Sequence, residues 1–317
     1  MSLLSGRAGD AKAPGPLSEP ICGFTAGPHY YLESSSVRQG LRVELLADSA
    51  QSGQPFILRF SITQQPKNLP VDKLQIEHDK FMHVIGVRED LSEFFHIHPL
   101  RTAPGIWEAT HTFARGGKYK IWAEVKYLGT SYSFGQPLVT VTGPASYVPG
   151  TEEGTDHVEI AGCRIKLQHP EPLRAGEINQ MQFLLRDDSG AALELENFLG
   201  TPMHLFIVNR EASSCLHGHP ESASPSAGMV RFVQSFPSPG TYKLFAQFRP
   251  KRNAPPPDEA LLAQFVVTVS QPEPVGNTVP LPPKGGVPSG SGTPASAGSR
   301  RVTGGFIAPM ATLDLTK

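Results

Sequence analysis

The chain has 317 residues, room for two or three domains with a core of ordinary size in each. Its 28 basic and 29 acidic residues leave a formal charge of −1, which gives no electrostatic reason to expect nucleic acid or an anionic membrane as partner. The three cysteines, Cys22, Cys163 and Cys215, form no disulfide framework, zinc ribbon or redox pair, and no run of about 18 apolar residues marks a spanning segment.

Taken in chain order, residues 1–36 read as a loose N-terminal extension without the apolar core of a secretory signal. Seven short segments follow, rich in β-branched and aromatic residues: Leu41–Ala47, Phe56–Thr63, Met82–Arg88, Phe94–His98, Trp107–Phe113, Tyr119–Tyr127 and Pro137–Thr142. Gly, Pro, Asn and Asp clusters separate them. Together they predict a first repeat over 37–143, then a linker over 144–155 and a second repeat over 156–270. A turn of helix near Asp258–Leu262 is the one helical candidate. In residues 271–299, 17 of 29 are Pro, Gly or Ser, so the 271–317 tail is expected to be disordered.

The repeat is visible without any outside comparison. FMHVIGVREDLSEFFHIHP (81–99) aligns gaplessly on PMHLFIVNREASSCLHGHP (202–220) at an offset of 121, and GKYKIWAEV (117–125) on GTYKLFAQF (240–248) at 123. Seven short strands per copy of about 110 residues predict an all-β protein of two tandem antiparallel immunoglobulin-like β-sandwiches, with a cupredoxin-like sandwich as the alternative.

Six of the 11 histidines fall in the aligned motif: His83, His96 and His98, then His204, His217 and His219. In a hairpin, opposed residues share a face, as do residues two apart along one strand. A turn at Asp90–Leu91 sets His98 opposite His83; a turn one step earlier sets His96 there. Either register gathers three imidazoles on one face, and neutral imidazole is a good ligand for copper, zinc or nickel. Met82 and Met203 have the opposite parity, which favours core filling over thioether ligation. Cys215 shares the parity of His217 and His219 and is a candidate thiolate ligand, although Phe94 in the other copy marks the position as one for packing. His111 is a further candidate, but Gln234 replaces it in the second repeat, and His78 is replaced by Leu199; both read as surface histidines.

The pattern resembles a family. Met82-His83, Asp90-Leu91-Ser92, Phe94, His96 and His98-Pro99, followed by Phe113 through Ala123, are similar to bacterial tandem-repeat β-sandwich proteins with MH-x12-HxHP motifs. Repeat 2 carries a variant, Leu199-Gly200-Thr201-Pro202-Met203-His204 with Glu211-Ala212-Ser213. Those proteins are often secreted or lipid-anchored, and are labelled uncharacterised or heavy-metal- or copper-associated. Over residues 40–270 the resemblance implies a periplasmic or surface metal-handling module. Hydrolase signatures such as G-x-S-x-G and H-E-x-x-H are absent, so no enzyme is expected. The leading expectation is a non-enzymatic protein binding about one copper (alternatively zinc) ion per repeat for storage, delivery or resistance. The alternative is a structural or protein-interaction sandwich in which the histidines are architectural.

Overall fold

The computed structural model describes residues 29–30, 37–47, 49–145 and 155–273. The N-terminal extension apart from residues 29–30, most of the 144–155 linker and the tail beyond 273 lie outside the described residues. The strands of repeat 1 and its N-terminal neighbour are β1 (His29–Tyr30), β2 (Val37–Arg38), β3 (Leu41–Leu45), β4 (Ser49–Gln51), β5 (Pro55–Gln64), β6 (Leu69–Pro70) and β7 (Met82–Arg88). They continue with β8 (Phe94–Ile97), β9 (Leu100–Ala103), β10 (Ile106–Thr112), β11 (Gly117–Tyr127), β12 (Thr130–Gly135) and β13 (Val139–Thr142). Repeat 2 supplies β14 (His157–Ile160), β15 (Cys163–Gln168), β16 (Leu173–Arg174), β17 (Ile178–Asp187), β18 (Leu195–Glu196) and β19 (Met203–Asn209). Its last strands are β20 (Cys215–Gly218), β21 (Pro220–Ser224), β22 (Met229–Ser235), β23 (Gly240–Pro250) and β24 (Leu261–Ser270).

These strands make four sheets. The first runs β2-β3-β5-β10-β9 and the second β4-β13-β11-β7-β8. The third runs β1-β20-β19-β23-β24-β16 and the fourth β14-β15-β17-β22-β21. The fold is an immunoglobulin-like β-sandwich made twice, as the strand signals predicted. The expected helix at Asp258–Leu262 is not formed. The Pro255–Pro257 run lacks N–H donors, Glu259 N closes a turn on Pro256 O at 2.9 Å, and Leu261 already pairs with Phe248.

Side-chain alternation places the cores. In repeat 1, Leu58, Phe60 and Ile62 of β5 meet Met82 and Val84 of β7 and Ile121 and Ala123 of β11. Repeat 2 does the same with Met181, Phe183 and Leu185 against Met203, Leu205, Leu244 and Ala246. A third core joins the repeats: Ile85, Val87, Leu91 and Trp122 from repeat 1 pack with Phe206, Val208, Cys215 and Phe245 from repeat 2. The second and third sheets are therefore each covered on both faces, and the four sheets stack in the order given above. Every residue of β7 is buried for this reason. At about 25 cal/mol per Å2 of apolar surface removed from water, one large side chain in this seam contributes about 2 kcal/mol. The described residues belong to one compact unit, Met1–Glu273, and no helix among them is long and apolar enough to cross a membrane.

Candidate functional site

The histidines sit on the extension of that seam. In the β7–β8 hairpin, Leu91 adopts φ +58° and its N–H closes a turn on Arg88 O at 2.8 Å. Asp90 pins the turn by accepting from Ser92 N at 3.1 Å and Ser92 Oγ at 2.6 Å while pairing with Arg88. The resulting register pairs Val84 with Ile97 and Ile85 with His96, which sets His83 opposite His98, the first of the two registers considered. β19 and β20 repeat it, Leu205 facing Gly218 and Phe206 facing His217. His83 and His204 share the parity of Ile85 and Phe206, so both point into the seam and not toward their own sandwich cores.

The two predicted clusters become one. Within repeat 1, ring centroids lie 5.3 Å apart for His83–His96, 4.9 Å for His83–His98 and 4.6 Å for His96–His98. Between repeats, His96 lies 5.9 Å from His204 and 6.4 Å from His217, and His83 lies 6.5 Å from His217. The ligand atoms of His83, His96 and His98 all fall within 4.8 Å of one another, the one such group among the described residues. In repeat 2, His204 Nδ1 and His217 Nε2 approach to 3.3 Å, but the His219 ring lies 4.6 Å from His78, tilted 35° to it.

His78 is the correction here. It is not a surface histidine apart from the cluster: its ring lies 5.5 Å from His204 and 5.8 Å from His217. Its backbone at φ +47° is matched by Leu199 at +52°, so the turn is shared and only the side chain differs.

Each central histidine is held the same way in both repeats. His83 Nε2 donates to Glu77 O at 2.8 Å, and His204 Nε2 donates to Phe198 O at 3.0 Å. Their Nδ1 atoms face His96 Nε2 at 3.0 Å and His217 Nε2 at 3.3 Å. The outer nitrogens then reach across the seam: His96 Nδ1 meets Gln247 Oε1 and His217 Nδ1 meets Glu124 Oε2, both at 2.9 Å. The offset of 123 makes Gln247 the counterpart of Glu124, so each repeat caps the other's histidine pair.

Burial holds the cluster neutral. Desolvation lowers His83 to about 4, His98 to about 3 and His204 to about 3, and pushes His96 and His217 well below the usual imidazole range. Neighbouring histidines add to the effect at His96 and His217. Burial raises Glu124 to about 8, so its carboxyl keeps a proton at neutral pH and donates it to His217 Nδ1. In repeat 2 a chain of hydrogen bonds thus runs from Glu124 through His217 and His204 to the Phe198 carbonyl, while in repeat 1 the amide oxygen of Gln247 accepts from His96 Nδ1.

The other sequence candidates fall elsewhere. Met82 and Met203 are fully buried in the two sandwich cores, as their parity predicted. Cys215 faces the seam in its apolar part, where burial drives the thiol well above its ordinary range. His111 is in the first sheet, its ring 4.0 Å from Phe95 and 4.8 Å from Phe113, and takes no part in the cluster. His29 pairs by backbone with His217. Glu124 and Gln247 had no signal as single residues. Their equivalence by offset, on strands whose other parity fills a core, was the available clue.

A model for a domain of unknown function, DUF8832, matches twice, at residues 35–142 and 157–271. The chain belongs to the DUF8832 family. Both DUF8832 segments coincide with the two sandwiches, so the duplication is a property of the family match and not of the histidine motif alone. Comparison with curated proteins finds no match. Among solved structures, the chain is similar to invasin, a bacterial integrin-binding protein, at 11% identity and a TM-score of 0.22, over 73% of this chain and 39% of that one. The D00–D0 domain of intimin aligns at 11% identity and a TM-score of 0.21, over 73% and 99%. A chimeric titin Z1Z2 aligns at 10% and 0.18, over 78% and 98%.

Proposed function

We propose that this DUF8832 chain is a non-enzymatic structural or interaction module in which the histidines form the joint between two β-sandwiches. One observation carries the reading: both ring nitrogens of His83, His96, His204 and His217 face polar partners, and the outermost partner of each pair comes from the opposite repeat. Buried polar groups joined in a network across two packed sheets rigidify and specify a packing arrangement. The joint fixes the two sandwiches as one body and leaves their outer sheets and loops to a protein partner. Unfolding in the presence of a strong chelator tests this. One cooperative transition, lowered by His217→Ala, is expected; a metal-free protein whose repeats unfold separately, with His217→Ala without effect, refutes it.

A second reading, metal handling with copper favoured and zinc as alternative, is supported by a different observation. His83, His96 and His98 present their donor atoms within 4.8 Å, and His98 Nε2 is buried without a hydrogen-bond partner among the described residues. Storage, delivery or resistance would then be the role. Elemental analysis after exposure to Cu(I), Cu(II) or Zn(II) tests it, bound metal falling when His83, His96 and His98 are replaced by Ala.

A further inference from the structure

The two histidine triads are not equivalent, and the difference leads beyond one ion per repeat. We propose that the chain holds a single divalent transition-metal site, made by His83, His96 and His98 and oriented across the seam by Gln247 of the second repeat. This rests on the metal reading above and assigns its place, stoichiometry and ion class.

The donor logic comes from the outer hydrogen bonds. Glu77 O can only accept, so a neutral His83 carries its proton on Nε2 and turns a bare Nδ1 inward. When the amide oxygen of Gln247 accepts from His96 Nδ1, the His96 Nε2 is bare as well. Two lone pairs then face each other 3.0 Å apart. That separation suits two nitrogens bound at ~2.1 Å to one ion with an angle of roughly 90–95° between them. The ligand's outer N–H given to a carbonyl or amide oxygen is the arrangement that fixes metal-bound imidazoles. His98 supplies the third donor, its Nε2 buried and unpartnered among the described residues.

Repeat 2 does not bring three donors together: among the described residues only His83, His96 and His98 hold their ligand atoms within 4.8 Å of one another. The His219 ring lies 4.9 Å from His217 but also 4.6 Å from His78, and repeat 1 has no matching contact because Leu199 stands where His78 does. Its His217 is capped by Glu124 in place of the neutral amide. The ligand set selects the ion: three imidazoles suit Zn(II) or Cu(II), whereas Cu(I) would want the sulfurs of Met82 and Cys215, which face apolar cores. No carboxylate belongs to the triad, which excludes calcium and magnesium.

The test uses the full chain, stripped with chelator and titrated with Zn(II) or Cu(II) alone, counting ions by native mass spectrometry. One ion per chain is expected, lost in His98→Ala, kept in His219→Ala and weakened about 10- to 100-fold in Gln247→Ala. Cu(II) electron paramagnetic resonance on the unmodified protein should count three nitrogen ligands, which covers the case of a variant that fails to fold. Two ions per chain, or one ion kept in His98→Ala and lost in His219→Ala, overturns the assignment while leaving metal binding intact. No ion at all overturns the metal reading as a whole and leaves the joint, tested in chelator, standing.

Discussion

Replacing Glu124 by Gln makes the cap of repeat 2 the same as that of repeat 1, and the expected effect depends on pH. Glu124 is raised from 4.5 to about 8 by burial. The folded chain thus holds a proton that the unfolded chain releases, and stability falls as pH rises from 4.5 through 8. At ~1.4 kcal/mol per pH unit, the cost at pH 7 is roughly 3 kcal/mol, before any discount for relaxation around the carboxyl. The histidines act in the opposite sense. His83, His98 and His204 are lowered to about 4, 3 and 3, so the stability they permit is complete above pH 6.5 and is lost as pH falls toward those values. Lys243, lowered to about 8, adds a rise only above pH 8. The native protein should therefore be most stable near pH 6.5 and weaken toward pH 8. Glu124→Gln should keep the acid limb and lose the alkaline one, gaining up to roughly 3 kcal/mol at pH 7. Urea unfolding in chelator at pH 5, 6.5 and 8 reads this directly. A variant whose stability still drops between pH 6.5 and 8 as the native protein's does would refute the protonated-carboxyl account.

Other perturbations give further checks. Phe245 stacks on Phe94 with centroids 4.6 Å apart in the seam, so Phe245→Ala should cost ~3–5 kcal/mol and split unfolding into two transitions seen by calorimetry. A Cβ on Gly86 would lie 2.1 Å from the Phe95 ring, so Gly86→Val should destabilise repeat 1 by at least 1–3 kcal/mol. Repeat 2 has Ile207 and Leu216 at these two positions, and the double change Gly86→Ile with Phe95→Leu should recover much of that loss in denaturant titrations. His111→Gln, which copies Gln234, should leave metal stoichiometry unchanged, since His111 is on the first sheet against Phe95.

Much of this was legible in the chain. Alternation and turn residues placed the strands, and the offset between MHVIGVR and MHLFIVN gave the duplication, while the hairpin register stayed open between two alternatives that both gather the histidines on one face. The joining of the repeats was not read, although its mark was present. Met82–Val87 and Met203–Val208 are apolar at nearly every position of both parities, which a strand facing water on one side does not permit. His83 and His204 therefore meet each other's repeat and not solvent. Treating each triad as self-contained also hid His78, whose turn is shared with Leu199 while its ring serves the opposite repeat. Glu124 and Gln247 look like ordinary polar residues in a strand until the two second-layer sheets are brought face to face.

The most direct test of the joint is a double-mutant cycle between His96 and Gln247, 151 positions apart in sequence and 2.9 Å apart in the fold, measured by urea unfolding in chelator. A coupling of ~1 kcal/mol, with both repeats unfolding in one transition, is the expected result. Additive effects of the two substitutions, or two transitions in the native protein, would contradict the claim that these histidines tie the sandwiches together.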